Sequence, residues 1–134
     1  MNIAKTAILI VDHGSRSADS NVLLNRVVER FSVRFADEFA IVESAHMELS
    51  EPSIATAYAN AVRRGAEQIV VCPFFLGPGK HWQEDIPRLV LAAANPFPQS
   101  TYCITAPLGV DDLMLDLIYL RVDESMREKV GSHD

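Results

Sequence analysis

Three side chains with the chemistry of metal ligands and proton acceptors recur along this 134-residue chain. His13 lies in Asp12-His13-Gly14-Ser15-Arg16, Glu48 in Ala45-His46-Met47-Glu48-Leu49, and His81 in Gly77-Pro78-Gly79-Lys80-His81. Two imidazoles and a carboxylate suit a borderline divalent ion such as iron, cobalt, nickel or zinc. The same groups are bases near neutral pH. A single histidine after a strand is more often an ordinary loop residue or a satisfied polar group than a ligand. Three donors gathered on one rim point to a shared site. His46 is a fourth candidate, either orienting a ligand or touching a substrate. Ser15, Arg16 and Lys80 stand beside glycines, where backbone N–H groups and positive charge can meet an anion or simply form solvated turns.

The elements that must position these residues alternate. Ala7 to Val11 (AILIV) is a continuous apolar run, as in a strand buried on both faces. Asp19 or Ser20 can cap a helix whose expected inner face is Val22, Leu23, Val27, Phe31 and Phe35. Phe39 to Ser44 reads as a second strand. A second helix capped by Ser50 or Ser53 follows, with Pro52 in its first turn and Gly65 at its end. Gln68 to Leu76 gives a third strand. A third helix runs from about Trp82 to Ala94, kinked at Pro87 or starting later. Thr101 to Thr105 is a fourth strand, and Asp111 to about Lys129 a final helix with apolar Leu113, Leu117 and Leu120. The expectation is one domain over 1–130 with a frayed tail at 131–134. Its fold class is α/β, a three-layer α/β/α arrangement around a four-stranded parallel sheet. Ligands then bind beyond the carboxyl ends of the strands, where His13, Glu48 and His81 all fall.

The composition narrows the function. Twelve Lys and Arg against eighteen Asp and Glu give a net charge of −6, which argues against a general nucleic-acid binder. No stretch reaches the ~18 apolar residues of a membrane span, and no signal peptide opens the chain. Cys72 and Cys103 form neither a CxxC nor a zinc spacing. They read as buried reduced thiols, which fits a cytoplasmic location. No nucleotide motif of the P-loop or GxGxxG type is present.

Taken together, the three motifs resemble the short sirohydrochlorin chelatases of the CbiX/SirB type. The matching segments are Asp12-His13-Gly14-Ser15-Arg16, Ala45-His46-Met47-Glu48-Leu49 with Glu51-Pro52-Ser53-Ile54, and Pro73-Phe74-Phe75-Leu76 with Pro78-Gly79-Lys80-His81-Trp82 and Asp85-Ile86-Pro87. The likeness runs from about Ala7 to Leu117 and looks most like the plant and cyanobacterial ferrochelatases. It implies a chelatase-like single lobe that inserts a divalent metal, Fe²⁺ or Co²⁺, into the tetrapyrrole sirohydrochlorin without ATP, acting as a homodimer. It places the metal-site and catalytic roles on His13, Glu48 and His81. Lys80 stands where relatives often have Arg, keeping the charge but losing the planar fork. Plant members carry a cysteine-rich tail associated with an iron–sulfur cluster; this sequence lacks it, so no cluster is expected. Two other classes remain: a phosphoryl-transfer enzyme with a nucleophilic His13, and a non-catalytic metal-delivery module.

Overall fold

The computed structural model describes residues 5–77 and 79–132, the side chains of 80–82 and 129–132 excepted. Four strand–helix units follow one another: β1 (Thr6–Asp12), α1 (Ala18–Arg34), β2 (Ile41–His46), α2 (Ile54–Arg63), β3 (Gln68–Pro73), α3 (Lys80–Ala94), β4 (Thr101–Ile104) and α4 (Asp112–Ser132). All strand pairs are parallel, in the order β2-β1-β3-β4. The expected parallel α/β fold is therefore the one observed.

The apolar run of β1 occupies an inner position of the sheet, and residues 6–11 are buried. Its side chains alternate. Leu9 and Val11 join Ile69 and Val71 of β3 under α2 and α3, where Ala57, Tyr58, Ile86 and Val90 complete a core. Ile8 and Ile10 face the opposite way, toward α1. Alanines 57 and 61 on the buried side of α2 have little bulk, so that helix can lie close to the sheet. Tyr58 keeps its hydroxyl satisfied 2.7 Å from Ser100 Oγ, which in turn donates to the Phe97 carbonyl. Burial pushes the Tyr58 phenol above its ordinary value, because the anion is disfavoured there.

Several boundaries differ from the sequence reading. The inner stripe of α1 is Leu24, Val28 and Phe31, whereas Val22 and Leu23 are exposed. The spacing of the expected stripe was helical, but the register that meets Ile8 and Ile10 is rotated from it. Ser17, not Asp19 or Ser20, is the N-cap of α1, and Asp19 falls in the first turn, where its charge favours the helix dipole. β2 begins and ends two residues later than expected, because its ladder continues to pair His46 with Asp12. Ser53 caps α2 by accepting from the Thr56 N–H at 3.1 Å, with Pro52 just outside the helix. β3 stops at Pro73. α3 runs continuously through Pro87, which faces solvent. Cys72 is half-buried, but Cys103 is exposed, since β4 is an edge strand with one bare face. No helix of the described residues is long and apolar enough to cross a membrane.

Candidate active site

The rim beyond β1 and β2 is built by backbone pairing that outlasts the strands. Met47 N–H donates to the Asp12 carbonyl at 3.0 Å, and Glu48 N–H to the His13 carbonyl at 3.2 Å. His13 and Glu48 are thereby set side by side. The His13 Nε2–H donates to Glu48 Oε1 at 3.1 Å, and both side chains are more than half exposed. Gly14 permits this approach. Its φ is +93°, and a Cβ there would stand 1.9 Å from the Glu48 carbonyl oxygen. Only glycine has both the backbone freedom and the missing atom. Leu49 then takes a φ of +69° and turns the chain away directly after Glu48.

Beneath this exposed pair lies a buried one. His46 is 1% exposed, and its Nδ1–H donates to Asp12 Oδ1 at 2.5 Å. The His46 N–H also donates to the Pro52 carbonyl at 2.9 Å. The residue expected to touch substrate or orient a ligand thus lies below the rim, pinning the residue that precedes His13. The His13 ring also meets the Phe75 ring edge-on, with centroids 6.5 Å apart. Phe75 packs partly against the core and partly against the histidine, while Phe74 joins the opposite core cluster.

A cleft of about 450 Å³ opens over the pair, lined by His13, Met47, Glu48, Asp85, Arg88 and Leu89. Arg88 is held by Asp85 at 3.3 Å, one helical turn away. Arg88 lines the same cleft as the two donors. Sequence reasoning noted Asp85 but missed Arg88, whose only signal was its i, i+3 spacing from that acid.

The remaining candidates divide. Ser15 serves as a hinge into α1: its backbone N–H and carbonyl are both held by the Asn21 amide, and its Oγ accepts from the Ser17 N–H at 3.0 Å. Arg16 is exposed beside it. Lys80 and His81 open α3, but their side chains lie outside the described residues. Among the described residues no three His, Cys, Asp or Glu side chains form a metal-sized group. His13 and Glu48 supply a nitrogen and an oxygen donor on an open rim.

Residues 7–125 match the family model described as CbiX. The chain belongs to the CbiX family. It is 46% identical over 127 residues to the chloroplastic sirohydrochlorin ferrochelatase of Arabidopsis thaliana, covering 95% of this chain and 56% of that protein. Against the sirohydrochlorin cobaltochelatase of Methanosarcina barkeri it is 29% identical, covering 91% of this chain and 98% of the relative. The fold superposes with a TM-score of 0.82 on the crystal structure of the sirohydrochlorin chelatase SirB from Bacillus subtilis subspecies spizizenii in complex with cobalt. That match has 30% identity and covers 90% of this chain but 50% of the other. This CbiX chain thus spans about half the length of the plant and Bacillus relatives and nearly all of the archaeal one.

Proposed function

We propose that this chain is a sirohydrochlorin chelatase that takes a divalent metal ion as substrate, with Fe²⁺ favoured. The observation that carries the reading is the His13–Glu48 pair, fixed by Gly14 at the mouth of an open cleft in a CbiX-family fold. Insertion must strip water from the ion and release the two pyrrole protons of the macrocycle. With its ring proton shifted to Nδ1, a neutral His13 offers the Nε2 lone pair, and Nε2 and the Glu48 carboxylate replace water on the incoming ion and then take protons as it leaves them. Both groups are accessible, so the ion can arrive and the protons can depart without any rearrangement of the core. His81 joins them as a third donor on the strength of its motif. Sirohydrochlorin carries many carboxylates, and Arg88 on the cleft wall and Arg16 on the rim are placed to meet them. Ser15 and Lys80 join this substrate set by their motifs. His46 acts on the same site through Asp12, not by contact with substrate.

Iron is favoured because the plant relative at 46% identity is a ferrochelatase. Cobalt is the second reading, since the archaeal relative is a cobaltochelatase and the SirB structure holds cobalt. Nitrogen and oxygen donors accept either ion, and supply decides between them in cells. No step requires a nucleotide or an iron–sulfur cluster. One lobe offers a flat macrocycle only an open rim, and the plant and Bacillus relatives are about twice as long as this chain. A homodimer supplies the second lobe. Two unpaired cysteines fit a reducing compartment such as the cytoplasm.

The test is anaerobic metal insertion. Sirohydrochlorin is mixed with Fe²⁺, Co²⁺ or Ni²⁺ and its absorbance followed with and without the protein. Acceleration over the blank, fastest with Fe²⁺, is expected. Metal binding without acceleration by any ion would replace the chelatase with a delivery module.

A further inference from the structure

Two leucines stand bare on the rim that carries the donors. Leu49 is the third residue past the end of β2 and is 53% exposed. Leu76 is the third residue past the end of β3 and is 63% exposed. β1 lies between β2 and β3, so the rim sets one leucine on each side of His13. Neighbouring strands sit about 4.8 Å apart, which puts the two flanking strands roughly 10 Å from each other.

An exposed leucine by itself needs no explanation. Leu49, however, is held in an uncommon conformation. Its φ is +69°, where the side chain crowds its own backbone. The turn is needed, because it directly follows the Glu48 carbonyl that lies against Gly14. That need accounts for the φ at position 49 but not for a leucine there. Glycine holds this conformation freely, and asparagine visits it more readily than leucine. The exposed half of the side chain gains nothing from the fold in return. Backbone strain kept at a site without an internal reward points to a ligand.

Neither leucine can bind the ion or take a proton, so the remaining partner is the second substrate. The carboxylates of sirohydrochlorin go to Arg88 and Arg16, and its flat carbon face needs apolar partners. We propose that Leu49 and Leu76 are two rests for that face, one on each side of the His13–Glu48 pair. The proposal rests on the chelatase reading and names residues that hold the ring. Met47 and Leu89 line the cleft and extend the apolar support. A ring supported on both sides lies parallel to the rim with its centre near the donors, and it cannot slide toward either strand.

The test is equilibrium dialysis of metal-free sirohydrochlorin, without oxygen, against the full-length chain. The variants are Leu49→Asn, Leu49→Gly, Leu49→Met and Leu76→Ser, with circular dichroism to confirm folding. Asparagine and glycine remove the apolar side chain without adding strain. Leu49→Asn, Leu49→Gly and Leu76→Ser are each expected to raise the tetrapyrrole Kd roughly five- to ten-fold. Leu49→Met, which keeps an apolar side chain, is expected to stay within about two-fold of the unmodified protein. Co²⁺ binding, measured on the same proteins, is expected to be unchanged, since both donors are intact. Leu49→Gly and Leu76→Ser carry the test even where Leu49→Asn does not fold. Unchanged tetrapyrrole affinity in folded Leu49→Gly and Leu76→Ser overturns the proposal and leaves the chelatase standing. A loss confined to one leucine overturns the two-sided support. An equal loss of Co²⁺ affinity in Leu49→Gly also overturns it, by making Leu49 a prop for Glu48. An unmodified chain that binds no sirohydrochlorin overturns both the proposal and the chelatase.

Discussion

Beyond the ends of β1 and β2 the chain keeps pairing, while beside β3 and β4 it leaves one face of the sheet bare. At the first edge, Asp12 to Glu48 is locked by two backbone hydrogen bonds, a buried Asp12–His46 pair and a glycine that no other residue can replace. At the second, Cys103 and the apolar side chains of α4 face solvent. Donors that must meet an ion at a fixed spacing need a rigid support. Backbone pairing is concentrated at the His13–Glu48 rim, and apolar exposure at β4 and α4.

Substitutions at the two edges should therefore fail in different ways. Gly14→Ala is expected to have the largest effect. It combines a left-handed backbone strain of about 1–3 kcal/mol with overpacking of similar size, so a loss of roughly 4 kcal/mol in urea unfolding is expected. His46→Ala comes next. It leaves Asp12 unpartnered over a new cavity and should cost about 3 kcal/mol, with metal insertion falling as the rim loosens. Rescue of stability by His46→Gln, which can still donate to Asp12, would sharpen the assignment to positioning. His13→Ala, on the exposed pair of the same rim, should change stability by less than about 0.5 kcal/mol. A large stability loss there would break the distinction between support and donor.

The smallest effect concerns pH. Burial pushes the Cys72 thiol above its ordinary value of 9.0 and the Tyr58 phenol above 10.0, since each anion is disfavoured in its site. For groups raised on folding, the stabilisation is complete below the unfolded value and lost as pH rises through the folded one. Unfolding free energy should thus be steady on this account to about pH 9 and decline above it. Cys72→Ala should remove the earlier part of that decline, and an unchanged alkaline profile would contradict it.

Much of this was legible in the sequence, for identifiable reasons. The AILIV run and the strand–helix alternation give the parallel sheet, because buried parallel strands need continuous apolar stretches and helical crossovers. His13 and Glu48 are adjacent because one strand–helix unit separates them, His13 directly follows β1, and Glu48 lies two residues past the end of β2. The burial of His46 was not legible: its ladder pairing with Asp12 extends β2 past its apolar residues. The inner stripe of α1 was misread for a related reason, since Val22 and Leu23 fit a helical period as well as Leu24 does. Only the sheet beneath selects the register. Arg88 was missed because it belongs to no motif and reaches the cleft through the orientation of α3. The acidic residues between the leucines of α4 read as a solvated face, and Leu113, Leu117 and Leu120 are exposed.

The central claim is that the exposed His13–Glu48 pair handles the metal substrate. The most direct measurement compares the initial rate of Fe²⁺ insertion into sirohydrochlorin, at limiting iron and without oxygen, for the unmodified protein, His13→Ala and Glu48→Gln. A fall of about 100-fold in each variant, with melting temperature unchanged, is the expected result. Folded variants that insert iron at the unmodified rate would contradict the account.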